Sequence, residues 1–309
     1  MEYLGLIGNV ENSFLKVQFG NGFTTERMKL SDFVAICKNE FQIEGVEEKL
    51  EHDWGYRSHD GSDIPEYVYV VRKSLTDFPE ADGVLKDIEL YRQQWQAEED
   101  YEEQVSAYVE NKTRVLRLLN EGSVQLSCEY FYETANDGQR KLISCREQDQ
   151  HGEDRLYKLN KKGLEQFSNI DYSELLNELP NYLKFAWNNF DQSYTIPHRE
   201  VEFLCLMTSL EALLNDGSAV KCGIAKGTAN LIGRNKHEAV KVFDTLTRFY
   251  DLQARLINSG DKRDITEDTV VELKNIVRRA LVEAIELKLP KQDLSKLYIE
   301  DDSQNHLHH

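Results

Sequence analysis

Apolar and polar positions change rhythm partway along the chain. Before about residue 170 several short segments alternate. Leu15, Val17 and Phe19 run into Gly20-Asn21-Gly22, and Phe23-Thr24-Thr25 follows, which predicts a hairpin. Residues 66–71 (EYVYVV) are aromatic and β-branched and predict a strand. Residues 124–132 (VQLSCEYFY) and 141–145 (KLISC) flank Asn136-Asp137-Gly138, which predicts a second hairpin. Between these strands, residues 84–120 hold helical spacing through Ile88, Tyr91, Trp95, Val105, Tyr108, Val115 and Leu119, so one long helix is expected. Its carboxylate run, Glu98-Glu99-Asp100-Tyr101-Glu102-Glu103, reads as a solvated face. His151-Gly152-Glu153-Asp154 and Lys161-Lys162-Gly163 read as loops.

From Asp171 onward only the helical period survives. Asp171-Tyr172-Ser173-Glu174 has capping-box spacing and opens a helix carrying Leu175, Leu176, Leu179, Leu183 and Trp187, broken or kinked at Pro180. Pro197 suits a first turn, after which Phe203, Met207, Leu210 and Leu214 recur until Asn215-Asp216-Gly217. A third helix covers about 220–232. Asn235-Lys236-His237-Glu238 starts a fourth, with Phe243, Leu246, Tyr250 and Ile257 on one stripe. Thr266 caps a last one through Leu273, Val277, Ala280 and Leu287, which Pro290 stops. The expected architecture is an acidic α+β domain over 1–169, an all-α antiparallel helical bundle over 170–290, and a flexible tail over 291–309.

Charge sharpens this division. The 309 residues carry 37 Lys+Arg against 55 Asp+Glu, a formal net charge of −18. Residues 196–290 hold 14 basic and 14 acidic residues and cancel; the two basic and four acidic residues beyond contribute −2, so −16 lies before Ile196. Such a domain repels phosphate backbones and favours protein recognition. With 40% hydrophobic residues and only 5 Pro, bulk disorder is excluded. No apolar stretch nears the roughly 20 residues of a membrane span, and Met1-Glu2-Tyr3-Leu4 does not read as a signal peptide. The five cysteines, Cys37, Cys128, Cys145, Cys205 and Cys222, are scattered, without CxxC spacing, and read as reduced thiols of a cytoplasmic protein. No zinc spacing, phosphate-cradling glycine loop or nucleophile turn occurs, so no metal or cofactor is expected. Gly223 and Gly227, one turn apart, suit close helix packing. His306-Leu307-His308-His309 belongs to the tail.

Three helical segments in order carry a family likeness: Phe185-Ala186-Trp187-Asn188-Asn189-Phe190 followed by residues 202–214 (EFLCLMTSLEALL), Gly223-Ile224-Ala225-Lys226 through Ile232, and Phe249-Tyr250-Asp251-Leu252 with Ile276-Val277-Arg278-Arg279-Ala280-Leu281. Over about 171–289 the chain resembles the HEPN superfamily, in particular its Apea-like group; residues 1–169 resemble no family. The resemblance implies a helical bundle that pairs as a homodimer and belongs to prokaryotic conflict systems such as phage defence, toxin–antitoxin and CRISPR-associated modules. Active members are metal-independent ribonucleases with an Arg-x4-His motif after Tyr-Asp-Leu, and two motifs from paired subunits form one groove. There an imidazole moves the protons and a guanidinium holds the phosphate.

Here the arginine position is Gln253 and the histidine position is Asn258. Neither carboxamide exchanges a proton at ordinary pH or carries charge, so both catalytic roles are vacant. Arg255 lies about 200° from Gln253 around a helix and points elsewhere. The expected reading is a binding or regulatory module, with RNA as a further partner class; the alternative is a metal-independent endoribonuclease with a rearranged set such as Arg255, Asn258, Glu211 and bases from a second subunit at the dimer groove. Gln253 is read as a hydrogen-bonded polar residue at a helix or subunit contact, Asn258 as a helix C-terminal residue beside Ser259-Gly260, and Glu211 as a salt-bridge partner of Arg255 or Arg278. Tyr250, Asp251, Lys262, Arg263 and Arg248 are the candidate binding residues, and His237 is an exposed residue near a helix start.

Overall fold

The computed structural model describes residues 1–52, 66–75, 88–147, 157–169, 178–215, 221–288 and 290–296. The chain divides into two compact units, Met1–Ser173 and Glu174–His309.

The first unit is built on five strands: β1 (Glu2–Gly8), β2 (Thr24–Lys29), β3 (Tyr67–Ser74), β4 (Gln125–Thr134) and β5 (Arg140–Glu147). Their order is β2-β3-β1-β4-β5, with every neighbouring pair antiparallel. On one face Leu4, Leu6, Val68, Val70, Cys128, Tyr130 and Tyr132 form a core with Phe33 of α1 (Leu30–Ala35), Ile36 and Cys37 of a π turn (Ile36–Glu40), and Val46 and Leu50 of α2 (Val46–His52). The opposite face is aromatic. Tyr3 meets Phe23 and Phe131 edge-on, and Phe23 stacks at 5.2 Å on Tyr108 of α3 (Ile88–Leu119). Because both faces are covered, β4 is buried from Gln125 to Tyr132, and its polar residues Ser127 and Glu129 are buried too.

Three expectations change. The Gly20-Asn21-Gly22 turn exists, with φ of 77°, 49° and 78° and Phe23 N–H donating to Gly20 O at 2.9 Å, but no strand precedes it. Asn12–Lys16 is a 3₁₀ turn instead. Phe14, Val17 and Phe19 are all buried there, with Phe14 edge-on to Phe19, so the chain curls around an aromatic anchor. Lys161-Lys162-Gly163 is not loop but the start of α4 (Lys161–Asn169), held by Asn160 Oδ1 accepting from Gly163 N–H at 2.8 Å. In the carboxylate run, Asp100 and Glu103 are exposed, whereas Glu102 is 7% exposed and faces β5. The loop expected at 151–154 and the side chains of Ile88 and Tyr91 lie outside the described residues.

The second unit is helical: α5 (Asn181–Gln192), α6 (Arg199–Leu214), α7 (Lys221–Ile232), α8 (Lys236–Ser259), α9 (Glu267–Leu287) and α10 (Lys291–Lys296). Pro180 is the extended residue before α5, while the capping box expected at 171–174 lies outside the described residues, as do Asp216 and Gly217. Asn235 accepts from Glu238 N–H at 3.0 Å and opens α8. Thr266 accepts from Thr269 N–H at 3.3 Å and opens α9. Trp187, Phe190, Phe203, Met207, Leu246, Phe249, Leu273 and Val277 fill the core. Gly227 is buried on α7. The expected flexible tail begins as structure: Leu294 of α10 is 1% exposed, an apolar anchor past Pro290; residues 297–309 lie outside the described set. Among the described residues no helix is long and apolar enough to cross a membrane.

Candidate functional site

Gln253 and Asn258 lie on α8. Its buried side is formed by Val242, Leu246, Phe249, Tyr250 and Leu252. Ile257, expected on the same stripe, is 65% exposed, because the last turns of the helix leave the packed face. Gln253, half-buried, stands at that transition. Its amide Nε2 donates to Glu211 Oε1 of α6 at 3.2 Å. Tyr250, one turn earlier and 3% exposed, has a hydroxyl with no hydrogen-bond partner among the described residues. Burial first, and the Glu211 charge second, push its pKa well above the usual phenol range, so it stays neutral. Tyr250, Gln253 and Glu211 therefore form one polar cluster in the α6–α8 seam.

The bases do not converge on this cluster. Arg255 Nη2 pairs with Asp264 at 2.7 Å and its Nη1 lies 3.8 Å from Asp261. Arg263 grips Asp261 with two donors at 2.9 Å each. Lys262 pairs with Glu200 at 2.8 Å, and Arg248 with Glu272 at 2.8 Å. The Arg263 guanidinium holds the Asp261 carboxyl far below its usual range, and Lys262 lowers that of Glu200. Asp251 and Asn258 are exposed, Asn258 inside the last turn. Gly260, not Asn258, takes the left-handed position (φ 68°) and donates to Leu256 O at 2.9 Å. Gly lacks the Cβ penalty that Asn would meet there. His237 is exposed in the first turn of α8.

Arg255 points away from Gln253, as the helical angle requires. Among the described residues Glu211 forms no salt bridge with Arg255 or Arg278, contrary to expectation. Glu211 takes the Gln253 amide instead, and Arg278 donates to Tyr194 Oη at 2.9 Å and to Asn275. Of the alternative set, Arg255 turns to Asp264, Glu211 takes the Gln253 amide and Asn258 is exposed.

One buried polar network escaped the sequence reading. Lys274 of α9, 1% exposed, pairs with Glu202 Oε1 of α6 at 2.6 Å and lies 4.1 Å from the Tyr194 ring centre. The signal was present: Lys274 and Arg278 fall one turn apart among the buried positions Val270, Leu273, Val277 and Leu281. Separately, Arg279 donates to Glu238 at 2.6 Å and to Ile232 O at 2.5 Å. Among the described residues no group of three His, Cys, Asp or Glu side chains is arranged to hold a metal ion. Comparison with protein families, with curated proteins and with solved structures finds no match for this chain.

Proposed function

We propose that this protein is a HEPN-like binding or regulatory module of a prokaryotic conflict system, working in the cytoplasm, in which the ribonuclease pair has been lost. The carrying observation is the Gln253–Glu211 hydrogen bond: the residue at the expected phosphate-holding position is neutral and directs its amide to a carboxylate of a neighbouring helix. The ion pairs of Arg255, Lys262, Arg263 and Arg248 add support, since each base is already charge-matched within the unit. A phosphate chain would have to displace those carboxylates to be held. In this reading the helical unit dimerises, and the acidic first unit recognises a protein trigger or target, because its charge opposes RNA.

The test uses purified full chain incubated with mixed RNA in EDTA. No cleavage is expected. Strand scission that Arg255→Ala abolishes would overturn the reading in favour of a ribonuclease with a rearranged site. Light scattering should give the mass of a dimer.

A further inference from the structure

Under α3 the sheet carries polar groups that the helical unit's site does not involve. Gly5 of β1 stands opposite Glu129 of β4, and a Cβ on Gly5 would come within 2.5 Å of the Tyr3 hydroxyl. The missing side chain leaves room for Tyr3 to donate to Glu129 Oε1 at 2.9 Å. Glu129 is 1% exposed. Groups from every packed element face it. Tyr3 comes from β1; Ser106, which also bonds this carboxyl, comes from α3, along with the charge of Glu110; Arg146 comes from β5. Arg146 lies 3.4 Å from Ser106 Oγ and 3.6 Å from Glu102, and Glu102 accepts from Ser144 at 2.7 Å. The thiol of Cys128 is adjacent in sequence and points into the opposite face of the sheet, with its own core.

Glu129 and Glu102 are both buried, and among the described residues both face the guanidinium of Arg146 on the partly exposed edge strand. A carboxylate out of water without its own counter-ion is strongly disfavoured, whereas the protonated acid has no charge to desolvate. With Glu129 neutral, Arg146 balances Glu102 alone.

We propose that the packing of α3 on the sheet is proton-linked: a neutral Glu129 closes the seam, and its ionisation loosens the helix. Burial is the leading influence on this carboxyl and raises its pKa; Tyr3, Ser106 and Arg146 pull it down in smaller measure, and Glu110 adds to the rise. An acid whose folded value exceeds its unfolded one binds more protons in the native state. Its stabilisation is therefore present at low pH and lost as pH climbs through the folded value, the reverse of a salt-bridged carboxylate. The helix so governed bears the acidic run and Trp95, 60% exposed, so loosening it on alkalinisation frees the most negative stretch of the unit.

Hydrogen exchange of the full chain tests this, read by mass spectrometry between about pH 4.5 and about pH 8.5 and corrected at each pH for intrinsic exchange. Protection of α3 should fall as pH climbs through the folded value of Glu129. Glu129→Gln should abolish the fall. Tyr3→Phe removes a donor from the carboxylate and should move the fall to higher pH. A purely structural Glu129 would shift protection by one factor at every pH. Flat α3 protection in the parent, or the parent slope retained in Glu129→Gln, overturns the proposal. If Glu129→Gln does not fold, an unmoved midpoint in Tyr3→Phe does so.

Discussion

The ammonium of Lys274 lies 2.6 Å from Glu202 Oε1 and 4.1 Å from the centre of the Tyr194 ring, with 1% of the lysine exposed. Such a pair survives only because each charge satisfies the other. Lys274→Ala removes the ammonium paired with the Glu202 carboxylate and should cost about 3 kcal/mol, the lower end for a broken buried pair, since Glu202 keeps some water contact. Lys274→Met fills the volume and, together with Glu202→Gln, should cost markedly less than either single truncation. Urea denaturation followed by far-UV circular dichroism checks the order; a neutral Lys274→Ala would mean that the pair is solvent-screened.

The start of α8 joins two kinds of stabilisation. Asn235 accepts from Glu238 N–H, and Glu238 in turn accepts from Arg234 N–H and from Arg279. Asn235→Ala should cost about 1 kcal/mol and Asn235→Ser very little, because serine offers the same acceptor. The Arg279 side chain, ahead of the backbone bond, lowers the Glu238 pKa. A depressed carboxyl contributes stability that is present above its unfolded value and lost as pH falls through the folded one. The helical unit should therefore soften on acidification, and Glu238→Gln should remove part of that softening in thermal melts run across acid pH.

Much of the fold was legible because local chemistry and tertiary packing agree. Asn235, Thr266 and the Asn136-Asp137-Gly138 turn stand where their side-chain or backbone preferences place them. Leu15, Val17 and Phe19 misled because a period of two describes both a strand and a curled segment pinned by Phe14. Asn160 was a readable cap ahead of Lys161-Lys162, masked by Gly163, which is tolerated because Asn120 fills the space a Cβ would need. The candidate site was legible only as residue types. That Gln253 meets Glu211, and that Arg255 turns to Asp264, depends on how α6 and the α8–α9 loop approach α8, which no local pattern encodes.

The thiols make a chemical prediction. Cys145 is exposed as a residue, yet burial of its sulfur, with the nearby Glu147 charge, pushes its pKa up to about 11. Burial pushes Cys37 up to about 12. Alkylation needs the thiolate, so Cys145 should react slowly near neutrality and gain roughly tenfold in rate per pH unit up to about pH 10. Cys37 and Cys128, fully buried, should label only on unfolding. Peptide mass spectrometry after timed iodoacetamide treatment reads each site. Fast labelling of Cys145 at neutral pH would place its sulfur in water.

Restoring the missing residue types tests the family correspondence directly. In Gln253→Arg the guanidinium replaces an amide whose partner, Glu211 Oε1, is 3.2 Å away, so the new charge is held in the α6–α8 seam beside Tyr250. Asn258→His adds an imidazole at an exposed position five residues on, about 140° further round the helix. That angle keeps the two groups of one chain from facing a common phosphate. A working pair must then combine groups from two copies, which fits the shared groove that the HEPN likeness implies. The double variant should cleave RNA in EDTA, both single variants should stay inert, and activity should fall on dilution as dimers part. A folded, dimeric double variant that leaves RNA intact would remove the correspondence between Gln253, Asn258 and the motif, and with it the reading of this chain as a disarmed nuclease.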